Sequence, residues 1–394
     1  MPFLIVLDHV PPMWSPGYII QGKVVLSSSQ DEAVSSVTIR FSGKEKTMMQ
    51  AGQNTKYKGE VRFFSYVQHL FRGNYTFSAS KLEWPFQFVF PDKAGNKQSD
   101  MSKDKFFRGP NDQLLPPSFV YHSSFLSAYG ADCSVKYKLS AALERPSTFS
   151  SLLTSERLLS FIPHRSEESP TMKFLSTPST WTVFSKKILP EFENYEPTMK
   201  EKVATVFSSR SKLPSSAFKI TIQLPNKAIL GQPIPLLVSA THLPDHSTTK
   251  IVPIIRLRHL SVAIESYTTF LASSVFGRTH DVERSEKMTF FDRFNLDIPL
   301  EPLPCNMGEL LNIVCVPSLP PSFVSDIIKR RYYLYVKITV ECAACTKTTR
   351  ASRVPFEALS SSHCQLPPGP PPPLPSEVEA ATERDEEQLP SYQP

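Results

Sequence analysis

Tyr333-Leu334-Tyr335-Val336-Lys337-Ile338-Thr339-Val340-Glu341-Cys342 sets Leu334, Val336, Ile338, Val340 and Cys342 against Tyr333, Tyr335, Lys337, Thr339 and Glu341 with a period of two. In an extended chain successive side chains point to opposite faces, so this decapeptide is predicted to be a strand with one face buried. The same alternation recurs on both sides of it. Upstream, Phe218, Ile220, Ile222 and Leu224 alternate with Lys219, Thr221 and Gln223, and Leu260, Val262 and Ile264 point inward within a strand expected over Arg256 to Ser266. Farther back, Val37, Ile39 and Phe41 alternate with Thr38, Arg40 and Ser42, Phe86, Phe88 and Phe90 share a face, and Val135 to Leu143 repeats the pattern. These are half-solvated antiparallel strands, and the predicted fold class is all-β.

Turn chemistry divides the strands into two bodies. Ser15-Pro16-Gly17 separates strands expected near Leu4–Asp8 and Ile19–Leu26, because proline fixes φ and glycine accepts a positive one. Residues 1–165 read as one β-rich domain and 216–358 as a second that mirrors it. Between them, residues 166–215 lose the strand pattern and carry Pro170, Pro178, Pro190, Pro197 and Pro214, which predicts an interdomain connection. Met199, Val203, Val206 and Phe207 lie at helical spacing after Pro197 and predict one short helix inside it. From 359 to 394 a proline run and an acidic segment have little apolar surface to bury, so a disordered tail is expected.

Composition bounds the function. The 27 Phe and 37 Pro against 13 Gly suit strands joined by irregular turns. The net charge of +6 is mild, but six acidic residues against Arg384 in 376–394 carry −5 of it, leaving the remainder near +11. Such a body suits an anionic membrane surface or acidic partner segments, with Lys56, Lys58, Arg62 and Arg72 as candidate contacts by charge alone; nucleic acid is not an expected partner. The start of the chain meets Asp8 without a basic leader, and no apolar run approaches the roughly eighteen residues that span a bilayer, so a cytoplasmic protein is expected.

Catalytic and metal readings find little support. Cys342 and Cys345 form a CxxC, but Cys342 continues the buried face of a strand, and Cys305 and Cys315 supply no matching pair, so structural thiols are expected. His242 and His246 are separated by Leu243-Pro244-Asp245, which forbids the helix that would align them on a metal. There is no glycine-rich phosphate loop, GxSxG or HExxH. A non-enzyme without cofactor or metal is expected.

Taken in order, several segments resemble the arrestin family, closest to the α-arrestin branch of trafficking adaptors in a fungal-type version. In the first body they are Ser15-Pro16-Gly17 with Ile20 to Leu26, Val37 to Gly43, Trp84 to Pro91, Leu115-Pro116-Pro117-Ser118-Phe119 and Val135 to Leu139. In the second they are Ile229-Leu230-Gly231-Gln232-Pro233-Ile234-Pro235-Leu236 and Leu319-Pro320-Pro321-Ser322-Phe323 leading into Tyr333 to Val336. The resemblance covers about four fifths of the chain. It implies two immunoglobulin-like β-sandwiches joined by a hinge. It also implies a scaffold that binds integral membrane cargo, a transporter or receptor, while tail motifs recruit the WW domains of a HECT-type ubiquitin ligase for ubiquitination and endocytosis. Such an adaptor is cytoplasmic and visits the plasma membrane or endosomes. Family members that sense phosphate hold a buried charged core, to which the sequence alone assigns no residues.

The tail fits that role. Leu389-Pro390-Ser391-Tyr392 is the variant proline/tyrosine peptide read by WW domains, with Leu389, Pro390 and Tyr392 as ligase-binding residues. Leu389 replaces the family's usual proline, and the motif occurs once. Pro370, Pro371, Pro372, Pro373 and Pro375 form a second candidate for SH3 or WW domains. The alternative function is a constitutive sorting coat or signalling scaffold of the same fold that recruits no ligase.

Overall fold

Residues whose apolar side chains recur every second position pair into long antiparallel ladders. They do so in a computed structural model that describes residues 2–51, 55–95, 97–99, 101, 106–108, 114–123, 130–146, 152–163, 172–192, 195–196, 213–274, 279–315 and 319–359. The first half contributes β1 (Phe3–Leu7), β2 (Ile19–Ser27), β3 (Glu32–Ala51), β4 (Thr55–Phe77), β5 (Lys81–Val89), β6 (Gln98–Ser99), β7 (Phe119–His122), β8 (Ala131–Glu144) and β9 (Leu153–Leu159). The second contributes β10 (Phe174–Phe184), β11 (Ser215–Pro225), β12 (Lys227–Ile229), β13 (Leu237–His242), β14 (Arg256–Ser273) and β15 (Thr279–Arg293). It continues with β16 (Ile298–Pro299), β17 (Cys305–Asn306), β18 (Phe323–Val324), β19 (Ile328–Cys342) and β20 (Cys345–Leu359), plus one turn of helix at Met307–Leu310. The fold is all-β, as the alternation predicts.

Two hydrophobic cores form. One gathers β1 to β9 around Phe41, Phe63, Phe90, Tyr137 and Phe161, and the other gathers the later strands around Phe218, Ile220, Leu257, Leu334 and Ile338. The three-stranded sheet β1-β2-β5 faces the first core, and the four-stranded sheet β10-β11-β13-β17 faces the second. A large sheet runs through both halves in the order β12-β20-β19-β14-β4-β3-β8-β7, and its two parts meet where Ser273 of β14 pairs with Lys58 of β4. Phe270, Leu271, Phe323, Ile327 and Ile328 come from the second half of the chain yet pack into the first core. Both cores lie within one compact unit spanning residues 1–362.

The stretch 166–215, read as connection, needs a correction. Residues Phe174–Phe184 form an eleven-residue strand that pairs with Ser215–Pro225 along its whole length. The positions of β10 that are less exposed are Thr177, Ser179, Trp181 and Val183, mostly polar, so the apolar alternation that marks a half-buried strand is missing. Pro178 is tolerated because β10 is an edge strand of its sheet. The helix expected around Met199 to Phe207 lies outside the described residues.

The pentapeptide Leu-Pro-Pro-Ser-Phe occurs twice, at 115–119 and 319–323, and the fold uses it twice in the same way. The Tyr137 hydroxyl donates to the Pro116 carbonyl at 2.6 Å, and the Tyr332 hydroxyl donates to the Pro320 carbonyl at 2.7 Å. Ser118 N–H donates to Phe161 O while Phe161 N–H donates back to Ser118 Oγ, each at 2.9 Å. Ser322 and Ala358 exchange the same two bonds, each at 3.0 Å. Gly17 and Gly231 both adopt φ of +80°, a conformation glycine takes without steric cost, and close equivalent turns. Equal sequence has produced equal local structure in both halves.

Candidate functional site

The two repeats meet each other. Phe119 and Phe323, the last residues of the pentapeptides, pack edge to face with ring centroids 5.3 Å apart. Around this contact, ionisable side chains are buried that the surrounding strands would fill with apolar ones.

Glu45 lies on the inward phase that begins with Val37, Ile39 and Phe41, and it is fully buried. Its Oε1 accepts from Ile327 N–H at 3.2 Å, and its Oε2 contacts Ser325 Oγ. Burial pushes this carboxyl up to about 8, helped by the nearby charge of Asp326 and opposed by the Ser325 and Ile327 contacts. Proton accounting agrees. Ser325 has one hydroxyl proton but two oxygen neighbours, Glu45 Oε2 and Ile328 O at 2.8 Å. A neutral Glu45 donates to Ser325, which then donates to Ile328.

Asp326 is 2% exposed: its Oδ1 meets Lys97 Nζ at 2.9 Å, and its carbonyl accepts from Phe107 N–H at 2.8 Å. Thr47 Oγ1 donates to Leu271 O, and Leu271 N–H donates to Ile327 O. Strand β3, the segment around Phe107 and the loop before β19 are therefore tied through one polar knot. Breaking a buried pair of this kind leaves an unmatched charge and costs about 3–5 kcal/mol.

Arg330 is the other inward-phase charge, in the row Ile328, Tyr332, Leu334, and it is 5% exposed. Its Nε donates to the Tyr332 hydroxyl at 3.1 Å and its NH1 to Thr268 Oγ1, with the guanidinium over the rings of Phe119 and Tyr332. Its ion pair with Glu286 is long, at 4.0 Å, and Glu286 is largely exposed. A cleft of about 720 Å³ opens between the two pentapeptides, lined by Pro116, Pro117, Pro321, Phe323, Tyr332 and Phe356 with cationic side chains among them.

The sequence-based candidates fall elsewhere. Leu389, Pro390, Tyr392 and the prolines at 370–375 lie outside the described residues. Lys56, Lys58, Arg62 and Arg72 all lie on β4, where Lys56 and Arg72 are on the order of 50 Å apart at ~3.3 Å per residue, so they form no single patch. Arg72 contacts His69 Nε2 at 2.6 Å, and Arg62 donates to Gln98 at 3.5 Å. The cations that do converge are Lys44, Lys46 and Arg62, at 3.5, 2.7 and 3.9 Å from Glu60. Burial pushes the Glu60 carboxyl up, but Lys46 and Lys44 outweigh it and hold the group below its ordinary value.

Cys342 and Cys345 face each other across a two-residue hairpin whose Ala343 and Ala344 have φ of 48° and 60°. Both thiols are free, and burial pushes that of Cys342 up to about 12, which suppresses the reactive thiolate. His246 ends a short turn beginning at Pro244, as the proline predicts. Among the described residues no group of His, Cys, Asp and Glu could hold a metal ion, and no helix is long and apolar enough to cross a membrane.

Sequence reasoning missed Glu45, Lys97, Ser325, Asp326 and Arg330. The signal for two of them was present, since Glu45 and Arg330 occupy inward phases of otherwise apolar rows. No protein-family model matches the chain, and no curated protein is significantly similar to it.

Proposed function

We propose that the chain is an arrestin-like adaptor that links an integral membrane cargo to a WW-domain HECT ubiquitin ligase. In this reading the two cores are two immunoglobulin-like sandwiches, and the protein works at the cytoplasmic face of the plasma membrane or endosomes. The observation that carries it is the duplicated Leu-Pro-Pro-Ser-Phe clamp, because those segments are among the ones on which the arrestin resemblance rests. The buried ionisable knot of Glu45, Asp326 and Lys97 adds support, since family members that sense phosphate hold a buried charged core.

The role assigned to the tail follows from peptide physics. Leu389, Pro390 and Tyr392 would enter a WW groove with a Kd of roughly 1 µM, about −8 kcal/mol, and the prolines at 370–375 offer a second contact. One molecule that holds both cargo and ligase turns the second encounter into an intramolecular one, which raises its effective concentration.

A pull-down with WW domains tests the ligase half. The intact chain is expected to be retained and the Tyr392→Ala chain to be lost; equal retention sinks it. Deleting residues 376–394 should abolish cargo ubiquitination. Unchanged cargo traffic after that deletion would instead favour a sorting coat or scaffold that works through its β-surfaces alone.

A further inference from the structure

We infer that the cleft between the two Leu-Pro-Pro-Ser-Phe segments is a binding site for a small organic anion with a flat apolar body, of the aryl phosphate or aryl carboxylate class. This goes beyond the adaptor reading and does not depend on it.

The cleft volume of about 720 Å³ falls within the roughly 300–1,000 Å³ typical of small-molecule sites. Its walls come from both halves of the chain: Leu115, Pro116 and Pro117 on one side, Pro321, Phe323 and Phe356 on the other. Pyrrolidine and phenyl faces are flat and apolar, so they complement a planar ring better than a branched or strongly hydrated group.

Charge selects the other end of the ligand. Arg108, Lys173, Arg330 and Arg331 line the cleft, whereas its lining includes the single acid Glu357, which already lies 3.4 Å from Lys227. Arg330 is buried, with no carboxylate among the described residues nearer than 4.0 Å, and a desolvated guanidinium gains most from an anion brought to it in a water-poor site. The neighbouring Arg331 pairs its NH2 with Glu283 at 2.8 Å, but its Nε is buried without a hydrogen-bond partner among the described residues. Arg330, with its one carboxylate partner 4.0 Å away, and the Arg331 Nε thus bring to the cleft donor capacity that polar contacts among the described residues do not fully use.

A ligand seated there would touch both pentapeptides at once, so its binding free energy would add to the contact between the two halves. Inorganic phosphate lacks the ring, and an uncharged aryl alcohol lacks the anion; neither satisfies both walls and cations.

The test uses the full chain in isothermal titration calorimetry and thermal melts with 1-naphthyl phosphate, 1-naphthoate, 1-naphthol and inorganic phosphate. Both naphthyl anions are expected to bind at one site and raise the melting temperature, with naphthol and inorganic phosphate at least tenfold weaker. Lys173→Glu, at an exposed rim position, should weaken naphthyl phosphate at least tenfold with an unchanged circular dichroism spectrum, and Arg331→Gln should weaken it less. Lys219→Glu, on the exposed side of β11, should leave it unchanged. No binding of either anion, naphthol binding as tightly as the phosphate, or equal affinity in wild type and Lys173→Glu would each overturn the assignment.

Discussion

The two Leu-Pro-Pro-Ser-Phe clamps have one sequence and one hydrogen-bond scheme but opposite surroundings. Around the first, Tyr137 is fully buried among Phe63, Phe64, Phe90 and Phe161, and its hydroxyl serves Pro116. Around the second, the Tyr332 hydroxyl serves Pro320 and also accepts from Arg330, and its ring borders the cleft. The repeated pentapeptide therefore fixes backbone geometry, while the residues two positions before each tyrosine differ: Val135 is apolar and Arg330 is charged. A duplicated structural device keeps its tyrosine among aromatic rings in one copy and beside a buried arginine in the other.

The contact between the copies offers the hardest test of that comparison. Phe119→Ala and Phe323→Ala each remove a buried ring, and each should cost about 3–5 kcal/mol in urea denaturation. Because the rings touch, the double variant should lose less than the sum of the two single losses; additive losses would mean that the halves are joined elsewhere.

Glu45 supplies the next effect. Its folded value of about 8 lies above the ordinary 4.5, so the folded protein holds a proton there that the unfolded chain releases. Stability from this group is complete below about pH 4.5 and is lost as pH rises through 8, an effect of several kcal/mol. Wild type should therefore unfold at lower urea at pH 9 than at pH 6, and Glu45→Gln should flatten that dependence. A steeper loss in Glu45→Gln would show that another group governs it.

The smallest effect separates the clamps themselves. Tyr137→Phe leaves the Pro116 carbonyl without its donor and should cost about 1–2 kcal/mol. Tyr332→Phe also strips the Arg330 guanidinium of an acceptor and should cost about 1 kcal/mol more. Equal losses, read from melting temperatures, would mean that Arg330 finds its acceptor elsewhere.

The β-strands were legible wherever one face was apolar. The rows at Val37 to Phe41, Val135 to Leu143, Phe218 to Leu224 and Leu334 to Cys342 are buried as their alternation predicts, because a period of two is set within the strand itself. The edge strand Phe174–Phe184 was not legible, since its less exposed positions include the polar Thr177 and Ser179 and it is held by its neighbour's ladder. Of the polar knot, Glu45 and Arg330 could have been flagged as charges on inward phases. Their partners could not.

Local alternation, turn residues and short repeats depend on side chains a few positions apart, so the sequence by itself determined the all-β class and the repeat of the pentapeptide. Only the tertiary structure decided that Glu45 meets Ser325 and Ile327, that Lys97 meets Asp326, and that a cleft rich in arginine opens where the two repeats face each other. Those contacts span more than two hundred residues. They are fixed by the register of long strands and by the packing of two cores, and neither is written in any single segment.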